Sequence, residues 1–164
     1  PVIGDNHKGE TLYGWGEKPD YKWMGFGDKD THPVYKGQVE NGKPNGLGVS
    51  IHPKGWKYVG SWKNGKEHGY GTGYPSDGGK YEGGWKNGDK HGPGIQTDPN
   101  GTLWMGEWGK TKDYDQSFQG TVTFPDGDKY VGEVRRTVRW WDGTYYDKDG
   151  NIDSKCVNGR CIKQ

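Results

Sequence analysis

Hydrophobic and polar positions alternate with a period of two, in short runs separated by Gly, Asn and Pro. In Tyr58-Val59-Gly60-Ser61-Trp62, the residues Tyr58, Gly60 and Trp62 share one face of an extended strand. Asn64-Gly65 follows, a pair that tolerates positive φ and predicts a tight reversal. Gly69, Gly71 and Gly73 then alternate on a returning strand, and Pro75-Ser76-Asp77-Gly78 predicts a second reversal. Glycine weakens a strand unless something must come close to the backbone. The expectation is that the Tyr58 and Trp62 rings lie across the bare glycine positions of a neighbouring strand.

The pattern returns after 23 residues as Tyr81-Glu82-Gly83-Gly84-Trp85-Lys86-Asn87-Gly88, and a fixed period of this length marks a repeat architecture. Five units follow one another, starting at Tyr35, Tyr58, Tyr81, Trp104 and Tyr130. Their structural positions are Tyr35 and Gly37; Tyr58, Gly60, Trp62 and Gly71; Tyr81, Gly83, Trp85 and Gly94; Trp104, Gly106 and Trp108; and Tyr130 and Gly132. The fourth unit is three residues longer, the excess lying in 109–119. The fifth has Val134 at the Trp place and Arg135-Arg136-Thr137-Val138-Arg139-Trp140-Trp141 instead of an Asn-Gly turn. Residues 1–22 do not keep the period and are expected to form an irregular N-terminal cap with one strand pair. The array spans 23–152, opening on a half repeat at Trp23, and 153–164 form a C-terminal tail. Each unit supplies two antiparallel strands. The predicted fold is all-β, a single-domain elongated antiparallel β-meander of about five hairpins, on the order of 50 Å long at ~4.8 Å per strand.

Composition sharpens this reading. Only 27% of the chain is hydrophobic and 32 residues are Gly, yet it carries nine Trp, eleven Tyr and three Phe. Disordered chains are poor in aromatics, so rings must do most of the burying. The net charge is +1, which makes no case for a polyanion, and no basic face with interleaved rings can be traced over several repeats; no nucleic-acid partner is expected. No run of 18 apolar residues is present. The chain starts at Pro1, a hint of a removed leader that favours an exported setting over a cytoplasmic one while leaving the compartment open. Cys156 and Cys161 flank Val157-Asn158-Gly159-Arg160; a disulfide is expected in an exported protein and two free thiols in a cytosolic one.

Catalytic chemistry finds little support. There is no Gly-x-Ser-x-Gly, phosphate loop or His-Glu-x-x-His. His68 and His91 share a repeat place and read as turn histidines rather than metal ligands. Glu107 and Glu133 also share a place, on the face opposite the rings, where acids keep a sheet soluble. Neither a cofactor nor a metal site is expected.

Tyr-x-Gly-x-Trp-x-Asn-Gly-x-x-x-Gly-x-Gly resembles the MORN repeat (membrane occupation and recognition nexus), over about 35–152. The resemblance implies an extended, twisted meander of hairpins and little about chemistry. Such arrays occur beside lipid kinases, at membrane junctions, in cytoskeletal scaffolds and before a SET methyltransferase domain; no kinase or SET motif is present in this chain. The expected function is a non-catalytic binding or scaffolding module that presents its sheet to a protein or an anionic membrane surface. The partner-binding candidates are Arg135, Arg136, Arg139, Trp140, Trp141 and Tyr114, at the places where the repeat fails. Further rings off the repeat are Trp15, Trp56, Tyr70, Tyr74, Tyr145 and Tyr146. The alternatives are self-assembly through open sheet edges into a dimer or head-to-tail filament, and an exported glycan-binding protein or small enzyme.

Overall fold

The computed structural model describes residues 9–111, 114–135 and 140–164, the side chains of 110–116 excepted. Fourteen strands and no helix are found among them. The chain divides into two compact units, 1–89 and 90–164, and each is an antiparallel meander.

In the first unit the strands are β1 (Glu10–Trp15), β2 (Lys22–Met24), β3 (Val34–Glu40), β4 (Lys43–Ile51), β5 (Lys57–Lys63), β6 (Lys66–Tyr74) and β7 (Lys80–Lys86). Their spatial order is β2-β1-β3-β4-β5-β6-β7. β1 and β2 form a strand pair, Tyr13 opposite Met24, that crosses the expected boundary at residue 22 and takes in Trp23 of the expected half repeat; it docks on the first repeat with Leu12 opposite Tyr35. In the second unit β8 (Asp89–Thr97), β9 (Leu103–Thr111), β10 (Tyr114–Thr123), β11 (Lys129–Arg135), β12 (Gly143–Tyr146), β13 (Ile152–Val157) and β14 (Arg160–Lys163) pair in chain order. The expected tail is thus a hairpin of the sheet, with Cys156 opposite Gly143. The excess of the fourth unit lengthens the β9–β10 hairpin, with an irregularity between Tyr114 and Ser117.

The register explains the glycines. Gly37, Gly48, Gly60, Gly71 and Gly83 stand opposite one another in a row across the first unit. Gly94, Gly106, Gly120, Gly132 and Gly143 do the same in the second. A Cβ on Gly60 would lie 2.4 Å from Gly71 Cα, and one on Gly71 only 2.2 Å from the Tyr58 hydroxyl. Backbones and rings fill the space that side chains would need, as the alternation predicts. The leading tyrosine then bonds locally. Tyr35, Tyr58, Tyr81 and Tyr130 each donate from Oη to the carbonyl three residues on, at 2.6, 2.9, 3.0 and 2.9 Å. The repeat tryptophan reaches back instead. Trp62, Trp85 and Trp108 donate from Nε1 to the carbonyls of Gly48, Gly71 and Gly94, at 3.3, 3.1 and 3.3 Å. Each ring is thereby both packed and satisfied.

Asn41, Asn64, Asn87 and Asn158 all have φ near +50°, and each is followed by a positive-φ glycine, the geometry of a two-residue hairpin turn. Gly69 departs from expectation. It does not make room for a ring; it has φ +84° at a register shift that lets His68-Gly69-Tyr70 bulge opposite Ser61. The first core is Leu12, Tyr35, Tyr58 and Trp62, flanked by Trp23, Val39 and Trp85. The second is Phe118, Val122, Tyr130 and Cys156, flanked by rings that include Trp104, Trp108, Trp140 and Tyr145.

Candidate functional site

The fifth repeat places its irregular residues in two directions. Arg135, the last residue of β11, donates from Nε to Glu133 Oε1 at 2.5 Å, and its guanidinium carbon stands 4.0 Å from the Trp141 ring centre. Glu133 is therefore paired beside the rings' turn rather than lying bare on a solvated face, while Glu107 is exposed. Trp140 points the other way, into the core. Its ring lies 4.7 Å from Tyr130 and 5.4 Å from Tyr145, and stacks on Trp104 at 6.0 Å. Where Val134 leaves a repeat without its indole, Trp140 supplies one, as Trp62 does to Tyr58 at 5.2 Å. Arg136 and Arg139 lie outside the described residues. Tyr114 is described through its backbone alone, opposite Thr111. Of the predicted set, then, Arg135 and Trp141 come together with Glu133. Cys156 and Cys161 form a disulfide between β13 and β14, and Cys156 is buried in the second core.

A second arrangement, in the first unit, was not legible as a motif. Residues 17–20 form a turn closed by Asp20 N–H donating to Glu17 O at 3.0 Å. From it Lys18 donates to Glu67 Oε1 at 2.6 Å. The same Nζ stands 4.6 Å over the Trp56 ring and 6.0 Å from the Trp85 ring. Glu67 is 4% exposed, a buried carboxylate that requires a partner. Two neighbours hold the segment down: Lys66 donates to Asp20 Oδ1 at 2.6 Å and Trp23 Nε1 to Gly65 O at 3.0 Å. A narrow cleft of about 10 Å³, room for about one water, is lined by Lys18, Tyr21, Trp23, Ser50, Trp56 and Glu67, among others. Ser50 is 1% exposed and its Oγ has no hydrogen-bond partner. Burial, and after it the Glu67 and Glu17 charges, raises the Tyr21 pKa; burial, Lys54 and Lys18 lower that of His52, which stacks on Trp56 at 4.7 Å.

The repeat position of Glu67, two after the turn glycine, is Pro44 in the first repeat and Lys90 in the third. In the second unit Lys90 Nζ stands 4.7 Å over Trp108, donates to Gln96 Oε1, and is linked through Gln96 and Asp98 to Trp104 Nε1. Burial lowers its pKa, with Asp98 opposing. The variability of this one position was the available signal, and only the register shows that it faces the rings.

His68 lies within β6 at its bulge rather than in the Asn64-Gly65 turn, with Nδ1 buried and without a hydrogen-bond partner. The faces opposite the rings carry exposed apolar side chains. In the first unit these include Leu47, Ile51, Val59 and Tyr70, and in the second Ile95, Met105 and Val131.

The MORN repeat family matches residues 35–57, 58–72 and 81–103. Comparison with curated protein sequences returned no match.

Proposed function

We infer, from the premise that the chain is a MORN-repeat protein, that it is a non-catalytic binding and scaffolding module whose outward sheet faces receive a protein partner. MORN repeats are binding and scaffold modules in general. The observation that carries the finer reading is the row of outward residues set by register. Lys36, Val49, Val59, Thr72 and Glu82 stand in line in the first unit. In the second, Ile95, Met105, Thr121, Val131 and Thr144 do so. Met105 is 51% exposed and Val131 43%. A mixed apolar and polar surface with both charge signs suits a protein interface. Glu82 on this face is paired with Lys80 at 3.0 Å, and Lys36, Lys57, Lys129 and Lys155 share the outward faces with Glu107, so binding to anionic vesicles decides between a protein and an anionic membrane.

The test is affinity capture with the whole chain as bait, against Val59→Glu and Val131→Glu, with sedimentation of anionic vesicles in parallel. Loss of specific bound protein in the face variants, with no vesicle binding, is expected. Capture indifferent to both substitutions, or pelleting with vesicles, would overturn the reading.

A further inference from the structure

We propose that Glu67, Trp56 and Trp85 form a recognition site for an alkylammonium group, occupied in this structure by Lys18 and suited to a lysine side chain of a protein partner. A carboxylate at 2.6 Å with an indole face at 4.6 Å and a second at 6.0 Å supplies the two attractions an ammonium uses, a charge-assisted hydrogen bond and a ring quadrupole.

Three observations separate this from an incidental ion pair. First, the repeat does not require an acid here, since its counterparts are Pro44 and Lys90. Second, the seat recurs. Lys18 lies by Trp85 and Lys90 by Trp108, and these indoles hold equivalent repeat positions, each donating to a glycine carbonyl fourteen residues back. At Trp108 the cation comes from the neighbouring strand itself; at Trp85 it is delivered by the turn between β1 and β2. Third, the narrow cleft beside Lys18 is also lined by Ser50, whose buried Oγ has no hydrogen-bond partner. The turn that brings Lys18 connects the paired strands β1 and β2; Asp20 N–H donates to Glu17 O within it, Lys66 bonds its Asp20, and Trp23 of β2 bonds Gly65 O. A lysine supplied in trans therefore competes with a side chain held close by the β1–β2 hairpin, a competitor that Lys18→Ala removes. The site is independent of the outward faces, which lie on the other side of the same strands.

The probe is n-butylammonium, the lysine side chain without its backbone, titrated into Lys18→Ala while tryptophan fluorescence and the thermal midpoint are followed. Sodium chloride at equal ionic strength and n-butanol are the controls. A saturable response to butylammonium alone is expected, with half-saturation at least about tenfold lower than in the wild type, where Lys18 competes, and than in Lys18→Ala/Glu67→Gln. Lys18→Met, which keeps the aliphatic stem, serves if the alanine variant does not fold. A lysine-containing peptide should then bind this variant more tightly than its acetyl-lysine counterpart. No saturation in either folded variant, or an unchanged curve on loss of the Glu67 charge, would show that Lys18 is a structural tie and overturn the proposal. That outcome would leave the capture experiment on the sheet faces untouched.

Discussion

Gly71→Ala tests the idea that the glycine row exists to admit rings. Gly71 is not among the positive-φ glycines, so backbone strain plays no part. The added Cβ would stand 2.2 Å from Tyr58 Oη and 2.4 Å from Cζ, against about 3.5–4 Å for ordinary carbon contacts. The ring must retreat by more than about 1 Å. It is 1% exposed and held between Trp62 at 5.2 Å and Trp85 at 5.1 Å. Overpacking of this kind costs about 1–3 kcal/mol. Pulling Oη from the Ser61 carbonyl adds about 1–2 kcal/mol for the broken bond. Replacing a strand glycine returns roughly 0.5–1 kcal/mol. The net expectation is a loss of about 1–4.5 kcal/mol, seen as a fall in thermal midpoint on the order of 10 °C for a chain of this size. Urea unfolding of wild type, Gly71→Ala, Tyr58→Leu and the double variant measures it. With the ring gone, Gly71→Ala should be neutral or stabilising. If it costs the same in both backgrounds within about 0.5 kcal/mol, the two residues are not coupled and the explanation of the row fails. Gly25→Ala, with nothing within 4 Å of its Cβ, is the inert control.

Other outcomes follow from the same geometry. Unfolded tyrosine ionises near 10. Burial, and after it the Asp142 and Glu133 charges, pushes the Tyr130 pKa up to about 12, and burial also raises those of Tyr35 and Tyr58. Absorbance titration at high pH should therefore show a late-ionising group among the eleven tyrosines. Stability should be intact below pH 10 and fall above it, and a single early transition for all tyrosines would contradict the buried-hydroxyl scheme. For His52 the shift is downward, so the unfolded chain takes up the proton first and stability declines as pH falls through 6.5. Lys18→Ala removes one of the causes, and NMR titration should find the His52 pKa raised, an unchanged value placing Lys18 elsewhere in solution. Reduction of the Cys156–Cys161 bond opens a very short loop and should lower stability by roughly 2 kcal/mol, measurable as a shift in urea midpoint with and without reductant. Asn64→Ala, at φ +50°, should cost about 1 kcal/mol, and a cost near zero would mean that the turn relaxes to another type.

Period and residue type were enough to read the all-β meander, the Asn-Gly turns and the ring-over-glycine packing, because all three are local consequences of spacing. What spacing does not carry is contact between segments that break the period. Lys18 lies 49 residues from Glu67, and nothing in Glu17-Lys18-Pro19-Asp20 announces where that turn will rest. Glu67 stands in sequence between charged and turn residues, and only the register that sets it opposite Trp62 shows that it faces the rings. Trp140 shows the opposite case. It stands off the repeat in sequence, yet in space it completes the fifth repeat, since a ring missing at Val134 can be delivered by any segment that reaches Tyr130.

The bond from each repeat indole to a carbonyl fourteen residues earlier joins one hairpin to the hairpin before it. Because donor and acceptor both recur, the joint is the same at Trp62, Trp85 and Trp108. Duplication or deletion of 23 residues leaves every such joint with a donor and an acceptor of the right kind. Array length can then drift over evolutionary time without a core being rebuilt, while the odd residue at the Glu67 position is free to give each copy its own chemistry.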